Sequence, residues 1–536
     1  MVKYMKKCIA QIGSFDVENF GDLLFPDVMR AEFNEELDID LFSPRGGNKC
    51  FDILKVYPIN QFEKKCKEKN YSAVVIGGGD LIRTDGPIFI RNNTYSTDSY
   101  SSLELWAYPI LIAKKYGIPI LFNSPGVTND FDESEKNLVK IILELVDDLN
   151  VRDTESQKAL NSIGIFDVKV IPDSVNVINK IYSTNYLEKV YFKLTEEGIL
   201  DKDIGEYIVF QHNSTNIDDA FYYMELLKGI KHISKGKNIL FMPIGYVHDD
   251  MKVLEKIFSE RIENTYIVNS KRKLTPVEMI AILEHSKGYM GTSMHGAVVS
   301  YSYGNPILLL NSMNSKKLHG FANVTGNQSV DVSCITDLIY IYDHFFGVYD
   351  KKLKSKIDGR IESHFIEMRK FIDNHEQKKV DTTQLLEFLS KSYEDKNELY
   401  YMVAQQEDYL NRKIKKYIKL NDSEFYIKFD ELIENTFFFP TINKKFYATE
   451  IVVDGRKILS ESYLFEKTKI YIKQASEIRV KGHFCSDYEW YYYIGNIIDS
   501  FEKMREKLIN TEVALKQAEM YYDAYKQNIE KYIENE

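Results

Sequence analysis

Cysteine is scarce in this chain and poorly placed for its usual roles. The five cysteines, Cys8, Cys50, Cys66, Cys334 and Cys485, are scattered, odd in number and never spaced as CxxC. That pattern supports neither a disulfide framework nor a thiolate zinc site, and it fits a reducing cytosol. Long apolar runs are missing as well: nothing approaches the roughly eighteen uninterrupted apolar residues of a membrane span. The N-terminal MVKYMKKCIAQIG carries lysines but no long apolar core, so a signal peptide is not expected. Positive charge is in deficit. A net charge of −11 argues against nucleic acid as a main partner, because phosphate contacts need a basic face.

What the chain does have is length and apolar residues. At 536 residues it is too long for one ordinary domain, and roughly three or four units are expected. A hydrophobic fraction of 44% is enough for a sizeable core. Tyr, Ile, Lys and Asn are abundant throughout, which reads as compositional bias rather than as a sugar-stacking surface.

The most informative stretch is GYMGTSMHGAVVSYSYGNPILLL, residues 288–310. A short apolar strand runs into Gly291, a polar knot of Thr292, Ser293, His295 and Gly296 follows, and Ala297 to Tyr303 has helical spacing. Gly304 ends that helix, Asn305-Pro306 turns, and Ile307 to Leu310 forms another buried strand. The polar cluster therefore falls at a strand's carboxyl end, where open α/β sheets bind ligands. The helix N-terminus there suits an anion. A histidine in that position binds phosphate or moves a proton; it serves equally as a helix cap or a polar filler.

Before it, strands alternate with helices. Cys8 to Ile12 opens the chain, and a loop holding Asp16, Asn19, Gly21 and Asp22 leads into a helix toward Leu37, with Asn19 placed to cap it. Ala73 to Ile76 ends in Gly77-Gly78-Gly79-Asp80, a run that lets backbone N–H groups approach an anion, although tight turns use glycines too. Arg83 lies within reach of the same edge. The polar loop 84–100 is long enough to be functional or mobile. Further strands are expected at Ile118 to Phe122, Asn150-Val151 and Val168 to Ile171, the last closed by Pro172-Asp173-Ser174. Asp153 is placed to cap the helix 154–163. Arg152, at the strand tip, faces the same cleft or forms an ion pair with Asp153 or another acid. This alternation predicts a parallel sheet covered on both faces.

A second α/β series follows, with strands at 207–210, 238–242 and 265–268 and a helix begun by Thr275-Pro276-Val277-Glu278. Past Leu310, Lys316, Lys317 and His319 form a basic loop on the same edge, or simply a solvated one. Two such units in series imply a ligand cleft between them. An amphipathic helix, 361–372, is placed to pack back across the first unit. The pattern then reads as helical from Thr382 to Leu420, as a β-sandwich of about five strands with a hairpin at Asp454-Gly455, and as a coiled-coil seam from Phe501 to Tyr532 that would pair with another copy of the chain or with the helix near 385–420.

Together the motifs resemble the polysaccharide pyruvyl transferase family. The pieces are Asn19-x-Gly21-Asp22, Val74-Val75-Ile76 with Gly77-Gly78-Gly79, Val151-Arg152-Asp153 with Pro172-Asp173-Ser174, and Ser293-Met294-His295-Gly296 with Gly304-Asn305-Pro306. They stand in the family's order over residues 8 to 320 or so. Some members carry Arg two residues before the histidine, where this chain has Ser293; the Ser-x-His-Gly form resembles another branch.

The resemblance implies two doubly wound Rossmann-like units facing a cleft (a GT-B-like arrangement). The implied organisation is an N-terminal unit at 1–180, a second with its returning helix at 181–378, a helical linker at 379–422, a small β domain at 423–488 and a coiled coil at 489–536. It implies a transferase that places a pyruvate ketal from phosphoenolpyruvate onto a sugar of a cell-surface polysaccharide or its lipid-linked precursor. No metal or bound cofactor is needed, phosphoenolpyruvate being a co-substrate. The implied location is cytoplasmic, at the inner face of the membrane. A donor bearing phosphate and carboxylate needs cations and N–H donors. The candidates are Arg152, Arg83, Lys316 and Lys317, with Asn19, Gly21, Asp22, Gly77, Gly78, Gly79, Ser293 and Gly296 around them. His295 is the first choice for proton transfer, with His212 and Asp249 as alternatives. Two other readings stay open: a glycosyltransferase using a nucleotide sugar on the same fold, and a degenerate scaffold in a glycan-assembly complex.

Overall fold

In the computed structural model, short apolar strands line up as two parallel sheets. The structure describes residues 6–386, apart from 34–36, 45, 47–54, 85–101, 128–130, 132, 247–249, 375–378 and 384, and beyond them segments 414–421, 424–438, 446–460 and 470–484. The long loop after Arg83 thus lies outside the described residues. The chain divides into two units, Met1–Leu386 and Glu387–Glu536.

The first sheet uses β1 (Lys7–Ile12), β2 (Leu37–Ser43), β3 (Val56–Pro58), β4 (Tyr71–Gly77) and β5 (Ile120–Asn123), in the order β3-β2-β1-β4-β5. All neighbours are parallel, with Ile9 opposite both Ile39 and Ala73, and Val74 opposite Ile120. Val74, Val75 and Ile76 are fully buried, as expected of a parallel strand covered on both faces. β6 (Asn150–Val151) and β7 (Lys169–Val170) pair with each other, and a bridge from Asp148 to Leu121 sets them beside β5. The helix expected to run to Leu37 ends at Phe33. Leu37, Ile39 and Leu41 alternate with Asp38 and Asp40, and this two-residue period joins the ladder to β1 instead.

The second sheet repeats the plan. β8 (Tyr207–Gln211), β9 (Asn238–Phe241), β10 (Thr265–Ile267), β11 (Tyr289–Gly291), β12 (Ile307–Leu310) and β13 (Asp331–Val332) take the order β10-β9-β8-β11-β12-β13. Counted within each half, both sheets have the order of dinucleotide-binding folds, and both reverse direction beside their first strand. The short β13 was not anticipated; two residues give no period to read. Thr275 and Glu278 form the expected capping box, with Pro276 in the first turn. The helix Met294–Ser302 is buried along its whole length, which is why it is built from small and apolar residues.

The returning helix is longer than its amphipathic stretch, Lys351–Asn374, and it does cross back to the first half. Phe365 packs edge-on against Phe33 at 6.2 Å, and Arg369 donates to the Glu32 carbonyl at 2.5 Å. Val380 N then donates to the Lys114 carbonyl at 3.0 Å, and Thr382 Oγ1 to the Leu111 carbonyl at 2.8 Å. Among the described residues, no helix is long and apolar enough to cross a membrane.

In the second unit two expectations change. Residues 414–420, expected to be helical, belong to β14 (Ile414–Asn421). Ile418 pairs with Tyr426 on β15 (Glu424–Phe438), so tertiary pairing overrides a weak helical pattern. The strands, with β16 (Phe446–Val453), β17 (Arg456–Ser460) and β18 (Ile470–Phe484), form one antiparallel sheet in the order β14-β15-β18-β16-β17. The second layer of a sandwich is not found among the described residues. Asp454 and Gly455 take φ of 44° and 76°, the left-handed pair that a two-residue hairpin requires. The proposed coiled coil, 489–536, lies outside the described residues.

Candidate active site

A cavity of about 330 Å³ opens at the carboxyl ends of both sheets in the first unit. Ser14 follows β1, Gly79 and Asp80 follow β4, and Arg152 follows β6. From the other half come Gln211 and Asn213 after β8, Gly245 after β9, Thr292 to His295 after β11, and Lys317 after β12. Asn19 and Gly245 form an antiparallel bridge across the cleft, tying the two halves at its rim.

Three cations reach the cavity: Arg83, Arg152 and Lys317. Arg152 is only 4% exposed and is held by two acids. It pairs with Asp80, and its Nε donates to Asp153 Oδ2 at 3.2 Å. Asp153 also caps its helix, accepting from Ser156 N at 2.7 Å as its position predicts. Lys317 Nζ stands 4.0 Å from the other Asp80 oxygen, so Asp80 gathers two cations at one edge of the cavity. Gly126 backs this pair; a Cβ there would stand 2.5 Å from both Arg152 Cζ and Asp80 Oδ1. The plainer reading of Arg152, an ion pair, therefore holds together with the cleft reading.

Asp22 and His295 also line the cavity. Asp22 is buried, yet lines the cavity and accepts a hydrogen bond from Asn19 Nδ2 at 2.9 Å. Asn19 thus serves this carboxylate and does not cap the helix. Burial pushes the Asp22 carboxyl up to about 6; His295 and Lys317 pull against this, and Asp80 adds to it. Gly79, at φ +75°, lies so close that a Cβ would come within 2.6 Å of Asp22 Oδ1. His295 is 8% exposed and meets Phe25 edge-on, ring centroids 5.6 Å apart. The Nδ1 edge of its ring lies against Gly21, and its Nε2 faces Asp173 Oδ2 at 3.6 Å.

The turn carrying His295 is anchored by residues that sequence reasoning passed over. Gln211 Oε1 accepts from Ser293 N at 2.9 Å, Thr292 N at 3.1 Å and the Tyr289 hydroxyl at 3.0 Å. Its Nε2 donates to Asp250 Oδ2 at 2.8 Å, which also accepts from Gly245 N at 2.8 Å and Ile244 N at 3.0 Å. Two loops of the second half are thereby locked to one buried amide. The signal for it in the sequence is a polar residue at the tip of the half's first strand, next to His212. Ser293 caps the following helix, accepting from Gly296 N at 3.4 Å.

Several candidates stand back from the cavity. Gly77 packs against the Asn123 backbone, Gly78 lies under the Phe25 ring and Gly296 under Tyr289, so their role is close packing. Lys316 and Lys317 begin the helix Lys316–Val324, where a loop was expected, and of the two only Lys317 lines the cavity. Asp249 lies outside the described residues. His212 is a core histidine: fully buried, its Nδ1 donates to the Asn213 carbonyl at 2.6 Å and its Nε2 accepts from the Tyr222 hydroxyl at 2.8 Å. Burial drives its pKa down to about 4, and does the same to His364 on the returning helix.

These two rings predict an acid weakness. Each binds its proton more readily in the unfolded chain, so stability is full above about 6.5 and lost as pH falls toward 4. At pH 5 the loss comes to about 2 kcal/mol per ring. Asp22, shifted the other way, recovers only part of it. Urea midpoints should fall between pH 7.5 and 5, and His364→Leu should shrink that fall; equal falls in both proteins would refute the assignment.

The fold and site define an α/β protein with a polar cleft at the carboxyl ends of two parallel sheets. The family model for polysaccharide pyruvyl transferase matches residues 19–312, and the chain belongs to this family of transferases. No curated protein matches the chain in sequence. Among solved structures it is similar to UDP-GlcNAc 2-epimerase from Methanocaldococcus jannaschii, at 12% identity and TM-score 0.45, covering 66% of this chain and 98% of that one. The UDP-GlcNAc 2-epimerase of Neisseria meningitidis, bound to UDP-GlcNAc, gives 12%, 0.43, 69% and 100%. That of Rickettsia bellii gives 13%, 0.40, 69% and 98%.

Proposed function

We propose that the protein transfers the pyruvyl unit of phosphoenolpyruvate to two hydroxyls of a glycan or lipid-linked glycan, forming a cyclic ketal and releasing phosphate. The observation that carries this reading is one cavity holding Arg83, Arg152 and Lys317 beside a carboxyl raised to about 6 and a histidine. The cations suit the donor's phosphate and carboxylate, and the acid and base suit its enol chemistry.

The proton balance needs both groups. Asp22, protonated, donates to the methylene carbon, which becomes the methyl group. A sugar hydroxyl attacks the adjacent carbon and gives its proton to His295. The bond to phosphate oxygen then breaks, and phosphate leaves with that proton. The second hydroxyl closes the ketal and returns its proton to Asp22. Both hydroxyl protons are thereby placed and the enzyme is restored. Neutral polar residues on the second half, Asn213 and Thr292, line the cavity and suit a sugar better than a second anion.

The test is calorimetric titration of the full chain with phosphoenolpyruvate and with UDP-sugars, then phosphate release with candidate acceptors. Saturable phosphoenolpyruvate binding, weakened at least tenfold or so in Arg152→Ala, is expected because charge-assisted pairing would be lost. Binding of a UDP-sugar with none of phosphoenolpyruvate would overturn the proposal.

A further inference from the structure

His295 can release or take up protons at either ring nitrogen, and the structure treats the two differently. Nε2 is buried and has no hydrogen-bond partner among the described residues; the same is true of Asp173 Oδ2, which it faces at 3.6 Å. Two orphaned polar atoms directed at each other in a buried site are costly unless they act as a pair. The Asp173 carboxylate is itself fixed. Its Oδ1 accepts from Val175 N at 2.9 Å, and its carbonyl accepts from Asn176 Nδ2 at 2.8 Å. Arg152 is near enough for its charge to act on Asp173.

We propose that Asp173 is a positioning residue that holds neutral His295 in the Nε2–H tautomer, leaving Nδ1 as the nitrogen that exchanges protons in the cavity. The alternative tautomer would aim the Nε2 lone pair at carboxylate lone pairs, which repel. The Nδ1 edge of the ring lies against Gly21, where a Cβ would overlap it, and His295 lines the cavity. The 3.6 Å separation is longer than a hydrogen bond, as such contacts often are before substrate closes the site. This inference rests on the proposed role of His295 as base and says how that role is built.

Charges around the ring come from both halves. Asp173 faces Nε2, and Asp22 interacts with the ring and is in turn influenced by Asp80 and Lys317.

The first readout needs no variant. In the full chain labelled with 15N-histidine, the His295 signals, assigned by their loss in His295→Gln, should show a protonated Nε2 and an unprotonated Nδ1. A proton on Nδ1 overturns the proposal. In Asp173→Asn the tautomer preference should be lost and kcat should fall about 100-fold, the low end of what general acid–base groups contribute, with KM for phosphoenolpyruvate nearly unchanged. A wild-type tautomer in that variant, or a raised KM with kcat intact, also overturns it. Should the tautomer be as stated while no pyruvyl transfer is found, the functional reading fails and the positioning inference stands.

Discussion

Asp22→Asn should lose turnover and gain stability in the same substitution. The carboxyl is buried beside Asp80, and its pKa is raised from 3.8 to about 6. The folded protein therefore binds this proton more tightly than the unfolded chain does. Stability contributed by the protonated form is complete below about 4 and is lost as pH rises toward 6. Above that range the buried charge costs about 3 kcal/mol. Asparagine is isosteric, can still accept from Asn19, and carries no charge to desolvate. Urea unfolding at pH 7.5 should show the variant more stable, with the difference shrinking to nearly nothing at pH 4. Turnover should fall by about two to four orders of magnitude, the usual contribution of a general acid. Binding of phosphoenolpyruvate should tighten, because a like charge is removed from beside the anion. An unchanged rate would remove Asp22 from the chemistry; a variant less stable at neutral pH would show that its charge is well compensated in the native site.

Such a trade is characteristic of a site where function holds a group in an unfavourable state. It was half legible in the sequence. Asn19-x-Gly21-Asp22 stood out as a loop after the first strand, and the alternation of apolar runs with helical spacing placed both sheets and their polar tips. The periods of two and 3.6 are local, so they survive in one dimension. The identity of the working carboxyl did not, because its pKa depends on burial under residues distant in the chain. Three glycines after β4 looked equivalent; their contacts separate them, Gly77 and Gly78 packing against Asn123 and Phe25, Gly79 making room for Asp22. Gln211 is illegible in the sequence for the same reason: an amide declares its role only through what it bonds, here a turn eighty residues later and Asp250. Arg152 was ambiguous between ligand contact and ion pair, and the fold leaves it in both positions at once.

Gly21→Ala offers the sharpest test of how closely the two halves meet. Gly21 has φ −63° and ψ −43°, a right-handed conformation in which alanine is at ease. Backbone considerations alone predict stabilisation of about 0.4–1 kcal/mol through the unfolded chain. The added methyl, however, would overlap the His295 ring at Nδ1, Cγ and Cε1. That ring is hemmed in by Phe25 on one side and Asp173 on another, so it cannot swing aside freely. Overpacking of this kind costs about 1–3 kcal/mol, which exceeds the backbone gain. The variant should therefore be less stable than wild type and should turn over about 100-fold more slowly, since a base displaced by an ångström loses its alignment. The decisive comparison is made in a His295→Ala background. With the ring gone the methyl fills space, and the same substitution should be neutral or stabilising. The two effects should then differ by about 2 kcal/mol, the coupling expected of residues in direct contact. Equal destabilisation in both backgrounds would mean that Gly21 is required for its own loop, and that the first half does not hold the histidine of the second.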